Sequence, residues 1–423
     1  MKLRFLSFIL LVAGLSTSPA ESPIGLSVEF ISVDAQTAFD LAAEDHQQPA
    51  RKALAPMLVD GNAKIEELAY ILTRQGTQAT LTSCIEITYP TEYDPAETVQ
   101  KLEGPITVRD QLRTPATPTA FTTRNVGLEI EATLKDTSNP EEVEVNLSIS
   151  QAVHVGDDRQ GQFESELTWP RFHSKLVHGT HRLTYDTDTL VGLLETNAPH
   201  AQRRLLAFVK ASKRPLPEPP SDESAKLAYL GILTEAIQIP EASIPALLSG
   251  DPSAARESVT TLIDAGTASI LEASLTVSKS GQHGLVRSGM ERIYPVEFDP
   301  PELQQTVAGP IDDGVRLATP AHGTTFERRQ EGFWLEGNGT LRPDALVALS
   351  LRPRKTTLLG QRTCGQGLSE VKLPIFANQS LATDLSLIDG QHALIGLHSD
   401  RALDGSNLHT YTMIFVRAQS RQP

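Results

Sequence analysis

The chain repeats itself at an offset of about 205 residues. The phrase YPTEYDP at Tyr89–Pro95 returns as YPVEFDP at Tyr294–Pro300, and about 19 of the 42 positions from residue 86 to residue 127 recur identically in residues 291–332. Near the ends of the two copies, AFVKA at 207–211 matches IFVRA. Similarity that keeps its register over this distance indicates an internal repeat, so we expect one fold to occur twice.

The stretch between the copies has the composition of a linker. SKRPLPEPPSDES, residues 212–224, places four prolines among charged residues and serines. Such a stretch favours an extended, solvated connection over a packed element. The sequence therefore predicts a first repeat at 21–211 and a second repeat at 225–419.

The first 20 residues have the order of a secretory signal peptide. Lys2 and Arg4 precede an apolar run of about 11 residues, and the small residues around Ala20 follow it. That run is too short to span a bilayer, which takes about 20 residues. A buried first helix is the alternative. We expect residues 1–20 to be removed after Ala20 and the protein to be exported.

Charge and composition exclude one class of partner. The chain is 39% apolar, enough to bury substantial cores, and its formal net charge is −15. A nucleic-acid-binding protein needs a basic face, so nucleic acid is not an expected partner.

Hydrophobic spacing predicts more strand than helix. ARKALAPMLV and IEELAYILT, in residues 50–73, carry apolar residues at helical intervals, and the matching part of the second copy begins helical and becomes strand-like. VGLEIEATL at 126–134 and VEVNLSI at 143–149 alternate as half-buried strands do, and LHTYTMIFVRA closes the second copy as a strand. We expect a strand-rich α+β fold in which each copy packs one or two helices on a mainly antiparallel sheet.

The repeated phrase itself suggests a helix start. In DPAE, beginning at Asp94, and DPPE, beginning at Asp299, Asp is suited to an N-cap, Pro to the first helical position, and Glu to the capping box. A short helix is therefore predicted after each phrase. The alternative reads Glu92 and Asp94, with Glu297 and Asp299, as catalytic acid pairs.

The sequence contains few motifs that indicate a catalytic or metal-binding site. The sequence has no H-E-x-x-H, G-x-S-x-G or phosphate-loop motif. His178 and His181 are three residues apart, which in a strand places them on opposite faces, so surface histidines are favoured over a metal site. Trp169 and Trp334 are expected to pack rather than form a ligand platform. We therefore assign no catalytic, cofactor-binding or metal residue and expect a protein that is not an enzyme.

The two cysteines leave one question open. Cys84 and Cys364 do not occupy matching places in the two copies. An exported protein can join such a pair in a disulfide. Two buried thiols are the other alternative.

The order of motifs resembles a known family. Each copy contains the YP-x-E-[YF]-D-P phrase, a TP…F-x-x-R…G segment that leads into alternating strands, P-x-F, L-x-G-L and a last strand that ends FV-[KR]. Residues 114–134 and 373–397 are the most similar, the latter with Asp389-Gly390-Gln391 before Gly396-Leu397. This order resembles the C-terminal β domain of bacterial secretins of type II and type III secretion systems and type IV pilus machines. Both copies are degenerate, and their short polar connections after the Gly-Leu pair lack the family's gate segment, so we expect no pore from this chain alone.

The resemblance implies a role in the bacterial envelope. It implies a non-enzymatic exported protein, periplasmic or associated with the outer membrane, that serves as a structural or adaptor component of secretion or pilus-type machinery. The implied partners are envelope secretion or pilus proteins, with a full-length secretin as one candidate and self-association left open. The alternative is a periplasmic or surface binding module that has lost the secretion role.

Overall fold

The computed structural model describes residues 22–43, 49–103, 113–196, 202–214, 229–249, 252–308, 318–342 and 344–421. The predicted signal peptide and most of the proline-rich stretch lie outside these residues. We refer to the described residues up to 214 as the first half and those from 229 onward as the second half.

Strands dominate the first half. In chain order its elements are β1 (Ile24–Asp34), α1 (Ala35–Ala43), α2 (Pro49–Val59), β2 (Lys64–Thr73), β3 (Gln78–Asp94), β4 (Glu97–Thr98), β5 (Lys101–Glu103), β6 (Arg113–Thr114), β7 (Thr117–Asp136), β8 (Glu142–Gln160), β9 (Leu167–Thr184), β10 (Thr189–Glu195) and β11 (Arg203–Lys213).

The second half has a closely matching order. Its elements are β12 (Tyr229–Pro240), α3 (Ile244–Ser249), α4 (Pro252–Asp264), β13 (Ser269–Lys279), β14 (His283–Asp299), β15 (Thr306–Ala308), β16 (His322–Leu341), β17 (Leu346–Cys364), β18 (Val371–Ile388), β19 (His392–Arg401) and β20 (Asn407–Arg421).

The long strands form two eight-stranded antiparallel sheets. Sheet 1 has the order β10-β11-β1-β2-β19-β20-β12-β13, and sheet 2 has the order β14-β16-β17-β18-β3-β7-β8-β9. Each half supplies four neighbouring strands to each sheet, and the two sets of four follow the same topology. The fold is therefore a strand-rich α+β fold in which the two halves share both sheets.

The halves meet at two strand pairings, which we name the junction. In sheet 2, β18 pairs with β3 from Phe376 opposite Glu86 to Ala382 opposite Thr80. In sheet 1, β19 pairs with β2 over a shorter register. Backbone hydrogen bonds therefore run without a break from one half into the other.

Alternation of apolar residues explains how the sheets pack. The predicted strands are confirmed: Val126, Leu128 and Ile130 of β7 are buried, as are Val145 and Leu147 of β8. These faces meet the inner face of sheet 1, and one core cluster contains residues of both sheets and both halves. Burial between sheets explains why every second position is apolar.

The helices cover the other face of sheet 1. Ile31 and Phe208 of the sheet pack with Leu54 of α2. In addition, the Arg51 Nε lies 2.7 Å from an Oε2 oxygen of Glu29 on β1. The second half repeats this ion pair, since Arg256 of α4 lies 2.8 Å from Glu235 of β12. The Ala-Arg dipeptide shared by the two copies thus fixes a helix to its first strand.

One predicted helix is wrong. IEELAYILT forms the strand β2, although ARKALAPMLV before it forms α2 as predicted. The strand is buried along most of its length, because it lies between β1 and β19 and is covered on both faces. A strand buried on both faces loses its alternation, so its apolar residues can mimic helical spacing.

Matching turns have matching backbone conformations. Gly390, in the Asp-Gly-Gln turn before β19, has φ +83°, and Asp186, in the equivalent turn before β10, has φ +58°. Asp tolerates this left-handed region better than most residues with a Cβ, so the turn survives without its glycine. The difference in sequence therefore leaves the local geometry unchanged.

Among the described residues, no helix combines the length and the apolar character needed to cross a bilayer.

Candidate functional site: the junction between the halves

The repeated phrase contributes its tyrosine to a stack of side chains. The rings of Tyr89 and Phe172 lie 5.7 Å apart, and the Arg124 guanidinium lies 4.8 Å from the centre of the Phe172 ring. Phe172 belongs to the P-x-F motif and Arg124 to the F-x-x-R motif. Three motifs that are far apart in sequence therefore meet at one place.

The second half builds the same stack. Tyr294 and Phe376 lie 5.7 Å apart, and the Arg329 guanidinium lies 5.8 Å from the Phe376 ring centre. The three residues stand at offsets of 204 or 205 from those of the first half. The motifs recur because the packing of adjacent strands recurs.

The helix predicted after the phrase is absent from the described residues. The chain is extended after Asp94, and Glu97–Thr98 form the short strand β4. The Glu97 backbone N–H donates to Thr114 Oγ1 at 3.2 Å, and the Glu302 N–H donates to Thr319 Oγ1 at 3.0 Å. The threonine of each Thr-Pro motif therefore provides the acceptor that the prediction assigned to the aspartate.

A polar cluster crosses the junction in sheet 2. The Arg329 side chain of the second half donates to Glu86 Oε1 of the first half. Asn378 Nδ2 donates to the same oxygen, and Thr356 Oγ1 donates to Asn378 Oδ1 at 2.8 Å. Such charge-assisted bonds fix the register of β18 against β3.

A fully buried ion pair crosses the junction in sheet 1. Arg401 and Glu67 have side chains that are 1% and 0% exposed, and Arg401 Nη1 lies 2.7 Å from Glu67 Oε2. Arg401 Nε donates to the Ser83 carbonyl oxygen at 2.8 Å, and Ser399 Oγ donates to Glu67 Oε1. A buried charge without such partners would be costly, so loss of either member of this pair is expected to destabilise the contact between the halves.

A cleft of about 350 Å³ lies next to this cluster, and Gln151 in its wall is hydrogen-bonded to Glu67. Its wall includes Lys175, whose Nζ donates to Gln151 Oε1 at 3.1 Å, and Gln151 Nε2 donates to Glu67 Oε2 at 3.3 Å. Burial lowers the pKa of Lys175 from its ordinary value of 10.5 to about 8, although the nearby carboxylates of Glu66 and Glu67 oppose this shift.

The lowered pKa of Lys175 predicts a pH-dependent stability. Between pH 8 and pH 10.5 the unfolded chain binds this proton more tightly than the folded chain, so the free energy of unfolding rises with pH through that window. Lys175→Met removes this contribution. Relative to the variant, we expect the wild type to gain about 3 kcal/mol between pH 7.5 and pH 10.5. Urea denaturation of both proteins at several pH values measures this difference, and parallel pH profiles would contradict it.

The acidic residues of the repeated phrase lie near the surface. Glu92, Glu297 and Asp299 are exposed and Asp94 is half-buried. Glu297 accepts a hydrogen bond from Thr325 Oγ1, and Asp299 lies 3.9 Å from His322. General acid catalysis by a carboxyl group usually depends on a secluded environment, which these positions do not provide.

The two histidines of HGTH both lie on β9, with His178 exposed and His181 half-buried. Burial lowers the pKa of His181. Across the described part of the chain, no group of three or more His, Cys, Asp or Glu side chains has the arrangement of a metal site.

The tryptophans and cysteines lie in different surroundings. Trp334 is half-buried on the outer face of sheet 2, where the Arg354 guanidinium lies 5.7 Å from its ring, and Trp169 is half-buried on β9. Cys84 and Cys364 are separate buried thiols, so the structure contains no disulfide between them. Burial raises the pKa of Cys84 to about 12.

Sequence reasoning missed the buried charges of the junction. Glu67 interrupts an apolar run, which is a signal that a buried charge needs a partner. Nothing in the local sequence marks Arg401 as that partner, because 334 residues separate the two.

Secretin structures are among the structural neighbours of this chain. No protein-family model and no curated protein matches the chain. The type IV competence pilus secretin PilQ of V. cholerae aligns with 96% of this chain at 9% identity and a TM-score of 0.23, and this chain spans only 62% of that structure. The InvG secretin domain of the Salmonella SPI-1 injectisome aligns with 66% of this chain and 89% of its own length at 10% identity and a TM-score of 0.24. Both are secretins, and both TM-scores are low.

Proposed function

We propose that the chain is a non-enzymatic structural or adaptor protein of the bacterial envelope, formed by duplication of one secretin-type β unit. The two units are residues 21–211 and 225–419, joined by the proline-rich residues 212–224. One observation carries this proposal: the residues that recur between the copies enter the same packing contacts in both halves. Because these repeated residues pack strands against one another, they favour a structural role for the protein over a catalytic one.

The link to secretion or pilus machinery rests on the sequence resemblance. Asp389-Gly390-Gln391 and Gly396-Leu397 are similar to the turn of that family, and the segment 114–134 is similar to its strands. The signal-like residues 1–20 support export, and the protein's place is then the periplasm or the outer membrane. Envelope secretion or pilus proteins are the proposed partners.

Isolation of the full-length protein with its neighbours tests this role. The chain carries a C-terminal affinity tag in its own host, is cross-linked in intact cells and is purified from the envelope for mass spectrometry. We expect secretion or pilus subunits to be enriched over a control with the same tag on an unrelated exported protein. Recovery without any such subunit would contradict the proposal.

A binding module is the second candidate, and a surface cleft favours it. Trp334, Arg352 and Arg354 line a cleft of about 480 Å³ on the outer face of sheet 2. An indole ring beside guanidinium groups can stack on a planar or sugar-like ligand. Enrichment of a glycan in the same isolation, without machinery subunits, would support this candidate instead.

A further inference from the structure

We infer that the cleft on the outer face of sheet 2 binds a sugar ring that carries an anionic group. The cleft has a volume of about 480 Å³, and Trp334, Arg352 and Arg354 line it. The inference rests on the second candidate function, the binding module, and adds the chemical class of its ligand. Purified protein and defined sugars test it, so its failure is distinguishable from failure of the isolation from cells.

Three arginines lie around one indole ring on this face. Arg287 of β14 lies opposite Trp334 of β16, and Trp334 lies opposite Arg354 of β17. Facing residues of antiparallel strands point to the same side of a sheet, so the indole has an arginine on either side. Arg352 is the next residue of β17 on that face, because side chains alternate along a strand. The cleft thus places cationic side chains next to an aromatic surface.

These arginines have no carboxylate partner among the described residues. The guanidinium groups of Arg287 and Arg354 form no hydrogen bond or ion pair there. Arg352 Nη1 donates to the neutral Ser350 Oγ at 3.4 Å. The cleft therefore carries positive charge that its own side chains do not neutralise, although the formal net charge of the chain is −15.

The acidic side chain in the wall of the cleft has another partner. Glu336 lies opposite Arg352, but its Oε1 lies 3.0 Å from the Nε2 of His283. Burial, together with the positive charge of Arg329, lowers the pKa of Arg354. An anion bound beside these guanidinium groups would reduce the repulsion between them and could accept paired N–H bonds from one of them.

The first half has the same strand pairing without these side chains. The positions that match Arg287, Trp334 and Arg354 on β3, β7 and β8 hold Thr82, Glu129 and Ser150. The position that matches Arg352 holds Ser148. The packing of sheet 2 therefore requires neither an indole nor an arginine on this face. Their presence in the second half points to a ligand.

The neutral groups of the cleft match a sugar. The half-buried indole of Trp334 offers an apolar face on which the C–H groups of one sugar ring can stack. Gln330 and Ser380, also in the wall, provide an amide and a hydroxyl that can bond to ring hydroxyls. The cleft volume lies within the range of about 300 to 1,000 Å³ that is typical of small-ligand sites.

Calorimetric titration of the purified protein with trigalacturonic acid, a short chain of carboxylated sugars, tests the inference. We expect a dissociation constant of about 1 mM or lower. Arg354→Ser, which installs the side chain of the first half, and Trp334→Thr, which removes the ring without adding charge, should each weaken binding at least about tenfold. Arg182→Gln is the matched control at a 68% exposed arginine outside the cleft, and it should bind as the wild type does.

Fluorescence locates the bound sugar. The chain has two tryptophans, so in a Trp169→Phe background Trp334 alone reports. We expect its emission to change on addition of trigalacturonic acid, with the dissociation constant found by calorimetry. Unchanged emission while the sugar binds would place the ligand elsewhere and overturn the inference. Far-ultraviolet circular dichroism checks that each variant is folded.

Control ligands separate charge from ring. Maltotriose, which is uncharged, and tricarballylate, which has carboxylates and no ring, should each bind at least about tenfold more weakly than trigalacturonic acid. Glucose 6-phosphate distinguishes the source of the anion, because its binding, if lost in Arg354→Ser, would identify a phosphorylated sugar. Binding of neither anionic sugar at about 10 mM, equal binding of maltotriose or tricarballylate, or an affinity unchanged by either Arg354→Ser or Trp334→Thr would each overturn the inference.

Discussion

Replacement of Arg401 by methionine is expected to lower the free energy of unfolding by about 3 to 5 kcal/mol. The substitution leaves the Glu67 carboxylate fully buried without its ionic partner and removes the hydrogen bond to the Ser83 carbonyl oxygen. Because the ion pair connects β19 to β2, the loss falls on the contact between the halves. Urea denaturation of the purified protein at pH 7 measures the change.

Two controls separate a buried charge from a general effect of losing arginine. Arg171→Met removes an exposed ion pair with Asp158, whose side chains are 59% and 48% exposed, and should cost less than about 1 kcal/mol. The double variant Glu67→Gln with Arg401→Met removes both charges and should recover most of the lost stability. If Arg401→Met lowers the free energy of unfolding by no more than Arg171→Met does, the buried ion pair does not stabilise the contact between the halves.

Substitution of Gly127 by alanine is expected to lower the free energy of unfolding by about 3 kcal/mol or more. Gly127 has φ +143°, a conformation that is essentially restricted to glycine, and a Cβ there would overlap the carbonyl oxygen of Ser83 on β3. The strand β3 cannot move aside, because it is paired with β7 on one side and β18 on the other. Urea denaturation again provides the measurement.

The second half offers a matched comparison for this glycine. Gly332 has φ +139°, and a Cβ there would overlap the carbonyl oxygen of Ser288. Since β14 is an edge strand and can shift, Gly332→Ala should lower the free energy of unfolding clearly less than Gly127→Ala does. Gly76→Ala, at φ +74° with no neighbouring atom within 4 Å, should cost only about 1 kcal/mol. Equal costs at Gly127 and Gly76 would show that the close packing of β3 against β7 is wrong.

The long alternating strands could be predicted from sequence because their signal is local. Period-two alternation of apolar residues predicts β7 and β8, and these strands are buried on one face. The strand β2 was predicted as a helix because burial on both faces removes that period. The short helix predicted after Asp94 was also wrong, because the Glu97 backbone N–H finds its acceptor in Thr114, which lies 17 residues further along the chain.

The junction could not be predicted from sequence. Leu81 lies opposite Leu381, and Ser83 opposite Gln379, although about 300 residues separate each pair. The strand β3 could pair with β18 of the second half or with β9 of the first half. Nothing in the local sequence distinguishes these two pairings. The motif residues were recognised as repeated, but their common stack required knowledge of which strands are neighbours.

Disulfide trapping across β3 and β18 tests most directly whether the two halves form continuous sheets. Thr80 and Ala382 lie opposite each other, and facing residues of antiparallel strands have Cα atoms about 4.5 to 5.5 Å apart, within disulfide range. In a background with Cys84→Ala and Cys364→Ala, Thr80→Cys with Ala382→Cys should form a disulfide within one chain under mild oxidation. Thr82→Cys with Ala382→Cys, offset by two residues, should stay reduced. If the Thr80→Cys/Ala382→Cys variant kept two free thiols, or if both variants oxidised equally, the pairing of β3 with β18 would be contradicted.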